Sequence, residues 1–369
     1  MSRNYEELYK KTISFSHKIG KPINYMLSFA HYLKNKKEVD KFVKGVAEEF
    51  YSQLPPEKIN CIVKDAIHSS FSYSYTQLYL YLDNYFKFDF YRLNKKTRNE
   101  YSIEVNESLL LDWGYFNQFD YYRFFEDKFL FSQTFSKYFK RESFVIDQNM
   151  EYENFYKKSF KKSLFFKPID SLCGHGVFKA QLLSDDDVLG AWDKIKKSKQ
   201  TYVAEEIVEN EKSLKEFHPN SVNTLRIVTL VNNDDVEVLG AYQRFGNGGA
   251  CCDHSNVGAI GALVDIETGV VCTKAVDKHN RPYVYHPFSG KLIPGYSLKN
   301  WNKLIEMVKE MAMVVPQVRL VGWDVTINDK EEWVVIEGNH NCGYETIQYF
   351  AGGLQSKLDY IRKNERRQK

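Results

Sequence analysis

The sequence predicts an α+β protein in which a helical N-terminal region precedes a larger region of mostly antiparallel β-sheet. In the N-terminal part, apolar side chains recur at three- and four-residue spacing, which is typical of amphipathic helices. From Phe144 onward, short β-rich runs alternate with Gly, Asn and Asp turns. Two helical stretches interrupt those runs without the strict strand–helix alternation of a parallel sheet, which favours the α+β class.

The N-terminal helices are predicted from this spacing and from Pro55 and Pro56, which separate two of them. The polar segment Leu93–Tyr101 predicts a connection or a short helix. No catalytic constellation is apparent in this part of the chain. The predicted helices are Ile13–Leu33, Val39–Leu54, Ile59–Phe86 and Tyr121–Tyr138.

The β-rich runs are short, and most are bounded by turn residues. Two predicted helices, Ser184–Lys197 and Leu298–Met313, lie among them. The runs are SLFFKP, GVFKAQLL, TYVAEEIV, TLRIVTLV, VEVLGAYQRF, GAIGALVDI, VRLVGWDVTIN and EEWVVIEGN.

Composition excludes several classes of protein. A net charge of +3 is too mild to indicate nucleic-acid binding. The six cysteines form no C-x-x-C pair, so neither a zinc site nor a disulfide framework is indicated, and free thiols suit a reducing compartment. The polar start predicts no signal peptide, and no apolar run approaches the ~20 residues that a membrane span needs. We expect a soluble, cytoplasmic protein.

A strand lysine followed by a glycine-containing loop is the first candidate binding feature. SLFFKP ends in Lys167 and Pro168, and Ser171–Gly176 leads to the next strand. Backbone N–H groups in such a loop can cradle phosphate oxygens, because glycine lets the backbone approach closely. Lys167 can place a cation on the same phosphates. The alternative is an ordinary hairpin turn, since G-x-G is common there.

Two carboxylates and an amide come together if the last two β-rich runs form a hairpin. With Lys330–Glu331 at its tip, counting back along both strands places Asp324 opposite Glu337, and Asn339 on the same face as Glu337. Facing carboxylates repel each other, and a divalent cation removes that conflict. These hard ligands suit Mg²⁺. The alternative is that one carboxylate is protonated or points to solvent.

Two arginines, Arg226 and Arg244, lie in strongly apolar strands. A buried guanidinium needs a fixed anionic partner. That partner is either a carboxylate in a structural ion pair or a phosphoryl group in transfer, which a planar fork can bind through two oxygens. The glycine- and asparagine-rich segment after Arg244 is typical of an irregular substrate-side loop.

Taken in order, these features resemble the ATP-grasp superfamily, and most closely its sugar-transfer-associated subfamily. The resemblance extends from about Tyr121 to Leu354, and the N-terminal residues do not resemble the standard α/β pre-grasp domain. The motifs that carry it are FFKP…GHGV, HPNSVNTLRIVT, the Asp253–Gly258 loop, VDIETG, YHPFSG, VGWDVTI and IEGNHN.

The resemblance implies a role for each candidate residue. The implied ATP-binding residues are Lys128, Lys167, the loop residues Ser171, Gly174, His175 and Gly176, and the adenine-hinge residues Glu205, Glu206 and Val208. The implied metal ligands are Asp324, Glu337 and Asn339, for Mg²⁺ or alternatively Mn²⁺. The implied catalytic residues are Lys167, Arg226 and Arg244. The implied substrate contacts are Asp253, Asn256 and His286, of which His286 has a structural histidine as its alternative.

The resemblance also implies an ATP-grasp fold in three parts. These are a mostly helical extension over residues 1–120, a subdomain with the glycine-loop flap and adenine hinge over 121–210, and a C-terminal subdomain with the metal and substrate site over 211–369. The implied activity is Mg·ATP-dependent ligation of a carboxylate to an amine through an acyl phosphate, forming an amide in surface polysaccharide or sugar-conjugate synthesis. The small-molecule partners would include an amino sugar or a sugar-linked acid. A kinase that phosphorylates a hydroxyl is the alternative, and the N-terminal helices are a candidate dimer interface.

Overall fold

A computed structural model describes residues 21–72, 78–101, 103, 114–169, 176–233, 235–248, 258–342 and 344–368. Within these residues, two antiparallel β-sheets are flanked by helices, which confirms the α+β prediction. None of the described helices combines the length and apolar character that a bilayer-crossing helix needs.

The N-terminal region is helical, as predicted, and contains α1 to α5. Aromatic and aliphatic side chains from α2 to α4 form its own buried core, which accounts for part of the 15% of residues in the chain that are Phe, Trp or Tyr. The helices are α1 (Lys21–Lys34), α2 (Lys36–Phe50), α3 (Pro56–Ser70), α4 (Leu78–Lys87) and α5 (Lys95–Arg98).

Two long helices predicted from the sequence are divided in the structure. The Ile59–Phe86 prediction is wrong at its centre: α3 ends at Ser70, where the Ser69 and Ser70 hydroxyls donate to carbonyls of the preceding turn and so compete with the helix. The Tyr121–Tyr138 prediction becomes three short helices: α6 (Arg123–Glu126), α7 (Lys128–Thr134) and α8 (Ser136–Phe139).

The break before α7 has a clear local cause. Asp127 leaves helical geometry (φ −81°, ψ 106°), and its carboxylate accepts hydrogen bonds from the Phe129 and Leu130 N–H groups at 2.9 Å each. Asp127 is therefore an N-cap, which starts a new helix at Lys128. This cap also fixes the position of Lys128 relative to the sheet behind it.

The smaller sheet has four strands in the order β1-β4-β2-β3. Helices α9 and α10 pack on it through a core that includes Phe155, Val188 and Ile195. A capping box between Ser184 and Asp187 starts α10 close to its predicted position. The elements are β1 (Ser143–Ile146), α9 (Tyr152–Ser159), β2 (Lys162–Pro168), β3 (Phe178–Leu182), α10 (Asp185–Ser198) and β4 (Tyr202–Glu206).

The larger sheet has seven strands in the order β11-β10-β5-β6-β7-β8-β9. All eight residues of β10 are buried, because helices cover both faces of the sheet at this strand. The elements are α11 (Lys212–Lys215), β5 (Leu225–Asn232), β6 (Asp235–Phe245), β7 (Ile260–Val264), β8 (Ala275–Val276), β9 (Pro282–Tyr283), α12 (Trp301–Ala312), β10 (Leu320–Ile327), β11 (Trp333–Asn339), α13 (Glu345–Ala351) and α14 (Gln355–Gln368).

The β10–β11 hairpin places Asp324 opposite Glu337, which confirms the predicted register. The turn itself differs from the prediction of a two-residue tip at Lys330–Glu331. The Asn328 N–H donates to the Glu332 carbonyl at 2.9 Å, so the loop is one residue longer.

A β-bulge compensates for the longer turn. Val325 pairs with Val335, whereas the next pair is Asp324 with Glu337, so Ile336 is an extra residue on β11. The two one-residue departures cancel, and the carboxylates still face each other.

Backbone carbonyls of the N-terminal region accept hydrogen bonds from the larger sheet and from α14. Asn280, between β8 and β9, donates from its amide to the carbonyls of Phe86 (3.2 Å) and Lys87 (2.8 Å). The Gln355 N–H donates to the Glu100 carbonyl at 2.9 Å. These contacts hold the N-terminal helices at the β8–β9 connection and at the start of α14.

Glu211 gives a testable contribution to stability. One carboxylate oxygen accepts from the Ser213 N–H (2.9 Å) and the Leu214 N–H (3.2 Å), and the other from Lys299 (2.7 Å). Burial alone would raise the pKa of Glu211, but Lys299 and the Ser213 and Leu214 donors outweigh burial and lower the pKa to about 2.

We predict that Glu211→Gln lowers the free energy of unfolding by about 1 kcal/mol at pH 7, the usual size of a helix-cap contribution. Because the folded pKa is depressed, this contribution is present above the ordinary value of 4.5 and is lost as pH falls toward about 2. Urea denaturation at pH 7, 4.5 and 3 measures it, with exposed Glu306→Gln as the control. A wild-type–variant difference that stays constant from pH 7 to pH 3 would contradict this assignment.

Candidate active site between the two sheets

The centre of the site is a buried carboxylate held by two arginines. Asp324 on β10 lies directly opposite Arg226 on β5, and Arg244 follows two residues after the β6 residue that pairs with Arg226. Asp324 accepts from Arg226 Nε (2.5 Å) and Nη2 (3.0 Å), and from Arg244 Nη2 (2.9 Å). Its side chain is 5% exposed. The structure thus places the three predicted residues together, with Asp324 as the anionic partner of both arginines.

A glycine makes room for this arrangement. A Cβ at Gly322 would lie 3.2 Å from both Cδ and Nη1 of Arg226 and 2.7 Å from Cβ of Cys342. Those distances are too short for an alanine without movement of its neighbours. Gly322 therefore lets the Arg226 side chain cross β10 on its way to Asp324.

The facing carboxylates Asp324 and Glu337 have opposite pKa shifts. Burial alone would raise the pKa of Asp324, but Arg226 and Arg244 outweigh it and lower the pKa. Desolvation and the negative charge of Asp324 raise the pKa of Glu337. Neighbouring groups surround the Glu337 carboxylate and so desolvate it, while the rest of the side chain keeps an exposed surface at the open side of the site. Asn339 Nδ2 donates to this carboxylate at 3.3 Å. This difference between two adjacent carboxyls is typical of a functional site.

The oxygen atoms available as ligands at this site suit a hard divalent cation. An ionised carboxylate can accept about four hydrogen bonds, and the arginines use three on Asp324. Across the described residues, no three His, Cys, Asp or Glu side chains converge on one point. A metal here would therefore depend on Asp324, Glu337, the amide oxygen of Asn339 and external oxygens, as is usual for Mg²⁺.

Lys167 faces this cluster from the smaller sheet. Its ammonium group lies 2.9 Å from the Glu205 carboxylate, and its charge also acts on Glu337. Burial would raise the pKa of Glu205, but Lys167 and Arg141 hold it below its ordinary value. Lys128 Nζ donates to the carbonyls of Pro168 and Ile169, both at 3.3 Å, so it lies beside the end of β2.

The predicted phosphate loop is only partly described. Ser171, Gly174 and His175 lie outside the described residues. Gly176 has φ +74°, a conformation that favours glycine, and its carbonyl accepts from Tyr202 Oη at 3.5 Å. The loop therefore ends in a positive-φ glycine beside β4.

The predicted adenine hinge begins where β4 ends. The Glu206 and Ile207 N–H groups donate to the carbonyls of Glu142 and Ser163, both at 3.1 Å. The Glu206 carboxylate lies 3.5 Å from Lys162. Val208 is half-buried just beyond the strand. The chain thus leaves the sheet next to Glu205, whose own side chain points to Lys167.

Of the predicted substrate contacts, His286 alone is among the described residues. Asp253 and Asn256 lie outside them. His286 is 1% exposed; its Nε2 bonds to the Gly246 carbonyl at 2.8 Å, and its Nδ1 accepts from the Phe288 and Ser289 N–H groups at 3.3 Å. Burial lowers the pKa of His286, and an Nδ1 that accepts two N–H groups carries no proton of its own. This environment favours the structural alternative for His286.

Sequence reasoning missed two groups of residues near the site. The first is Arg141, which contacts Glu205 and the backbone of β11. The second is His218 with Ser221: His218 bonds to Ser221 Oγ and to the Gly248 carbonyl, both at 2.8 Å. The motif HPNSVNTLR contains the second group, so its unusual polar content was an available signal, whereas Arg141 stands in no recognisable pattern.

A family model described as sugar-transfer associated ATP-grasp matches residues 114–363. No curated protein matches the sequence.

Several solved structures are similar in fold. N5-carboxyaminoimidazole synthase from Aspergillus clavatus is 13% identical with a TM-score of 0.41, over 66% of this chain and 54% of that chain. This chain therefore spans just over half the length of that structure. The ATP-grasp ligase PsnB is 11% identical with a TM-score of 0.41, over 74% and 75% of the two chains. The VanG D-Ala:D-Ser ligase from Enterococcus faecalis is 11% identical with a TM-score of 0.43, over 64% and 61%.

The family model covers more than half of the 369 residues. The protein therefore belongs to the sugar-transfer associated ATP-grasp family and has the fold of an ATP-grasp enzyme.

Proposed function

We propose that this protein is an Mg·ATP-dependent ligase that joins a small-molecule carboxylate to an amine through an acyl phosphate. The observation that carries the proposal is the cluster of Asp324, Glu337 and Asn339 beside Arg226 and Arg244, facing Lys167 from the other sheet. This set offers both metal ligands and cations to a nucleotide phosphate. The family description supports a product in sugar-conjugate or surface-polysaccharide synthesis.

Different residues would bind the phosphates, the adenine and the metal ion. Lys128 and Lys167, with the glycine loop, would hold the phosphates of ATP, and the segment from Glu205 to Val208 would hold adenine. Asp324, Glu337 and Asn339 would hold Mg²⁺, with Mn²⁺ as a substitute, and the cation would offset negative charge on the phosphate oxygens. We place the division of the grasp fold near residue 210, because the smaller sheet supplies Lys167 and the larger sheet supplies the metal ligands.

The reaction has two balanced steps. An oxygen of the substrate carboxylate attacks the γ-phosphorus, the bond to the β-phosphate oxygen breaks, and acyl phosphate and ADP result. The amine then attacks the acyl carbon, inorganic phosphate leaves and the nitrogen loses a proton. Arg226 and Arg244 would stabilise charge on the transferred phosphoryl group, as guanidinium groups do in other phosphoryl transfers.

The two arginines are placed for that role by Asp324. The carboxylate uses two donors of Arg226 and one of Arg244, and Thr224 Oγ1 accepts from Arg244 Nε (2.9 Å) and Nη2 (2.5 Å). Side chains held in this way lose little conformational entropy when an anion arrives.

The described cysteines are free thiols, which supports a cytoplasmic site of action.

We predict that Glu337→Gln lowers the rate of ADP formation by about 100-fold or more, because a cation would lose one charged ligand. Asp329→Asn, on the exposed loop of the same hairpin, is the matched control and should keep full activity. ADP release with saturating Mg·ATP measures both variants. Undiminished turnover in Glu337→Gln would remove the metal assignment.

We predict that Asp324→Asn destabilises the fold. It removes the negative charge that the two buried guanidinium groups contact, a change that costs about 3–5 kcal/mol in comparable buried pairs. Thermal or urea denaturation measures the loss against wild type. If Asp324→Asn is as stable as wild type, then the arginines have another partner and Asp324 is not the centre of the cluster.

The substrates can be found by mass spectrometry. The protein with Mg·ATP is given a panel of carboxylates, with and without amines and amino sugars, and products are identified by mass. We expect ADP formation that needs both an acid and an amine, with a product equal to their sum less one water. A phosphorylated acceptor without a joined product would instead show a kinase.

A further inference from the structure

A buried arginine outside the proposed catalytic set connects the two sheets. Arg141 follows α8 and precedes β1, and its side chain is 6% exposed. Arg141 Nη2 lies 2.9 Å from the Glu205 carboxylate, on the same oxygen, Oε2, that Lys167 contacts at 2.9 Å. One carboxylate oxygen of the smaller sheet thus holds both cations.

The other donors of Arg141 reach the larger sheet. Nη1 donates to the Val335 carbonyl at 2.7 Å, and Nη2 lies 3.4 Å from the Ile336 carbonyl. Both carbonyls belong to the β-bulge on β11, one and two residues before Glu337. A bulge disrupts ladder pairing locally, so backbone carbonyls there need other partners. Arg141 supplies one.

The plane of the guanidinium also packs against an aromatic ring. Its carbon lies 3.3 Å from the centre of the Phe139 ring, and Nη1 contacts the Phe139 carbonyl at 3.2 Å. Lys140 between them has a positive φ of 49°, which turns the chain back so that Arg141 lies over Phe139. Only the planar, multi-donor guanidinium can make all of these contacts; a lysine ammonium is a point charge with no flat face.

We propose that Arg141 is a positioning residue for nucleotide binding: through Glu205 it sets Lys167, and through the β11 bulge it sets Glu337. This inference rests on the proposed function, because it assumes that Lys167 binds a nucleotide phosphate and that Glu337 binds its metal. Arg141 itself would contact neither the nucleotide nor the metal. It fixes the distance between a phosphate-binding cation on one sheet and a metal-binding carboxylate on the other.

The test is the dissociation constant of Mg·ADP, measured by calorimetry on the full chain. We expect Arg141→Gln to weaken binding by about 10- to 100-fold, the usual effect of removing a group that orients a ligand residue. Arg141→Lys should fall between Gln and wild type, because it can keep the Glu205 contact but not the carbonyl contacts as well. Lys137→Gln, an exposed cation on the neighbouring helix, is the control and should bind as wild type does.

A double-mutant cycle separates positioning from a general structural effect. If Arg141 acts through Glu205, then Arg141→Gln should weaken Mg·ADP binding much less in a Glu205→Gln background than in wild type. Circular dichroism checks the fold of each variant. If Arg141→Gln does not fold, Arg141→Lys replaces it in the cycle. Equal effects in the two backgrounds would overturn the route through Glu205.

The outcomes distinguish this inference from the proposed function. Wild type that binds Mg·ADP, with Arg141→Gln and Arg141→Lys binding equally well, would overturn the positioning role alone. Wild type that binds no Mg·ADP would overturn the proposed function and, with it, the inference that rests on it.

Discussion

The ion cluster of Asp324, Arg226 and Arg244 is the constraint on which the rest of the site depends. Three charged side chains lie on adjacent strands of a sheet whose neighbouring residues are buried and apolar. The opposite charges in this cluster compensate one another, and an unpaired buried charge would be strongly unfavourable. The strand register and the glycine at 322 are both needed to bring the three groups into contact.

A second cluster repeats the same arrangement on the smaller sheet. Glu205 is buried between Lys167 and Arg141, as Asp324 is between its two arginines. In each case one carboxylate holds two cations in a fixed position, so the site presents organised positive charge without a large net charge. Such preorganised charge favours an incoming polyanion more than flexible surface lysines would. The two clusters meet where Lys167 acts on Glu337.

The sequence allowed the strands, the antiparallel class and the central residues to be predicted, because apolar alternation and turn residues are local signals. The pairing of Asp324 with Glu337 was predicted correctly but from an incorrect turn. The predicted and observed registers agree at this pair because of a bulge at Ile336, which no sequence pattern indicates. The helix breaks at Ser70 and Asp127 were missed because apolar periodicity continues across them. At Ser70 the serine hydroxyls compete for helix carbonyls, and at Asp127 an N-cap starts a new helix.

The remaining gaps have a common physical origin, which is that the contacts are long-range. Arg141 contacts Glu205 and Val335, far away in the sequence, and nothing near Arg141 in the chain indicates either partner. Likewise, the burial of His286 against Gly246 depends on how two distant loops meet. Residue type and spacing can identify a charged strand residue, but only the fold shows which opposite charge compensates it.

The metal assignment is tested most directly by a crystal of the protein with a non-hydrolysable ATP analogue and Mn²⁺, in which anomalous scattering locates the metal. We expect a metal peak in contact with the Asp324 and Glu337 carboxylates and the Asn339 amide, at ligand distances of about 2.0–2.2 Å. We also expect Lys167 to contact a nucleotide phosphate. A nucleotide and metal bound away from these residues, with Asp324 still paired only to its arginines, would contradict the assignment.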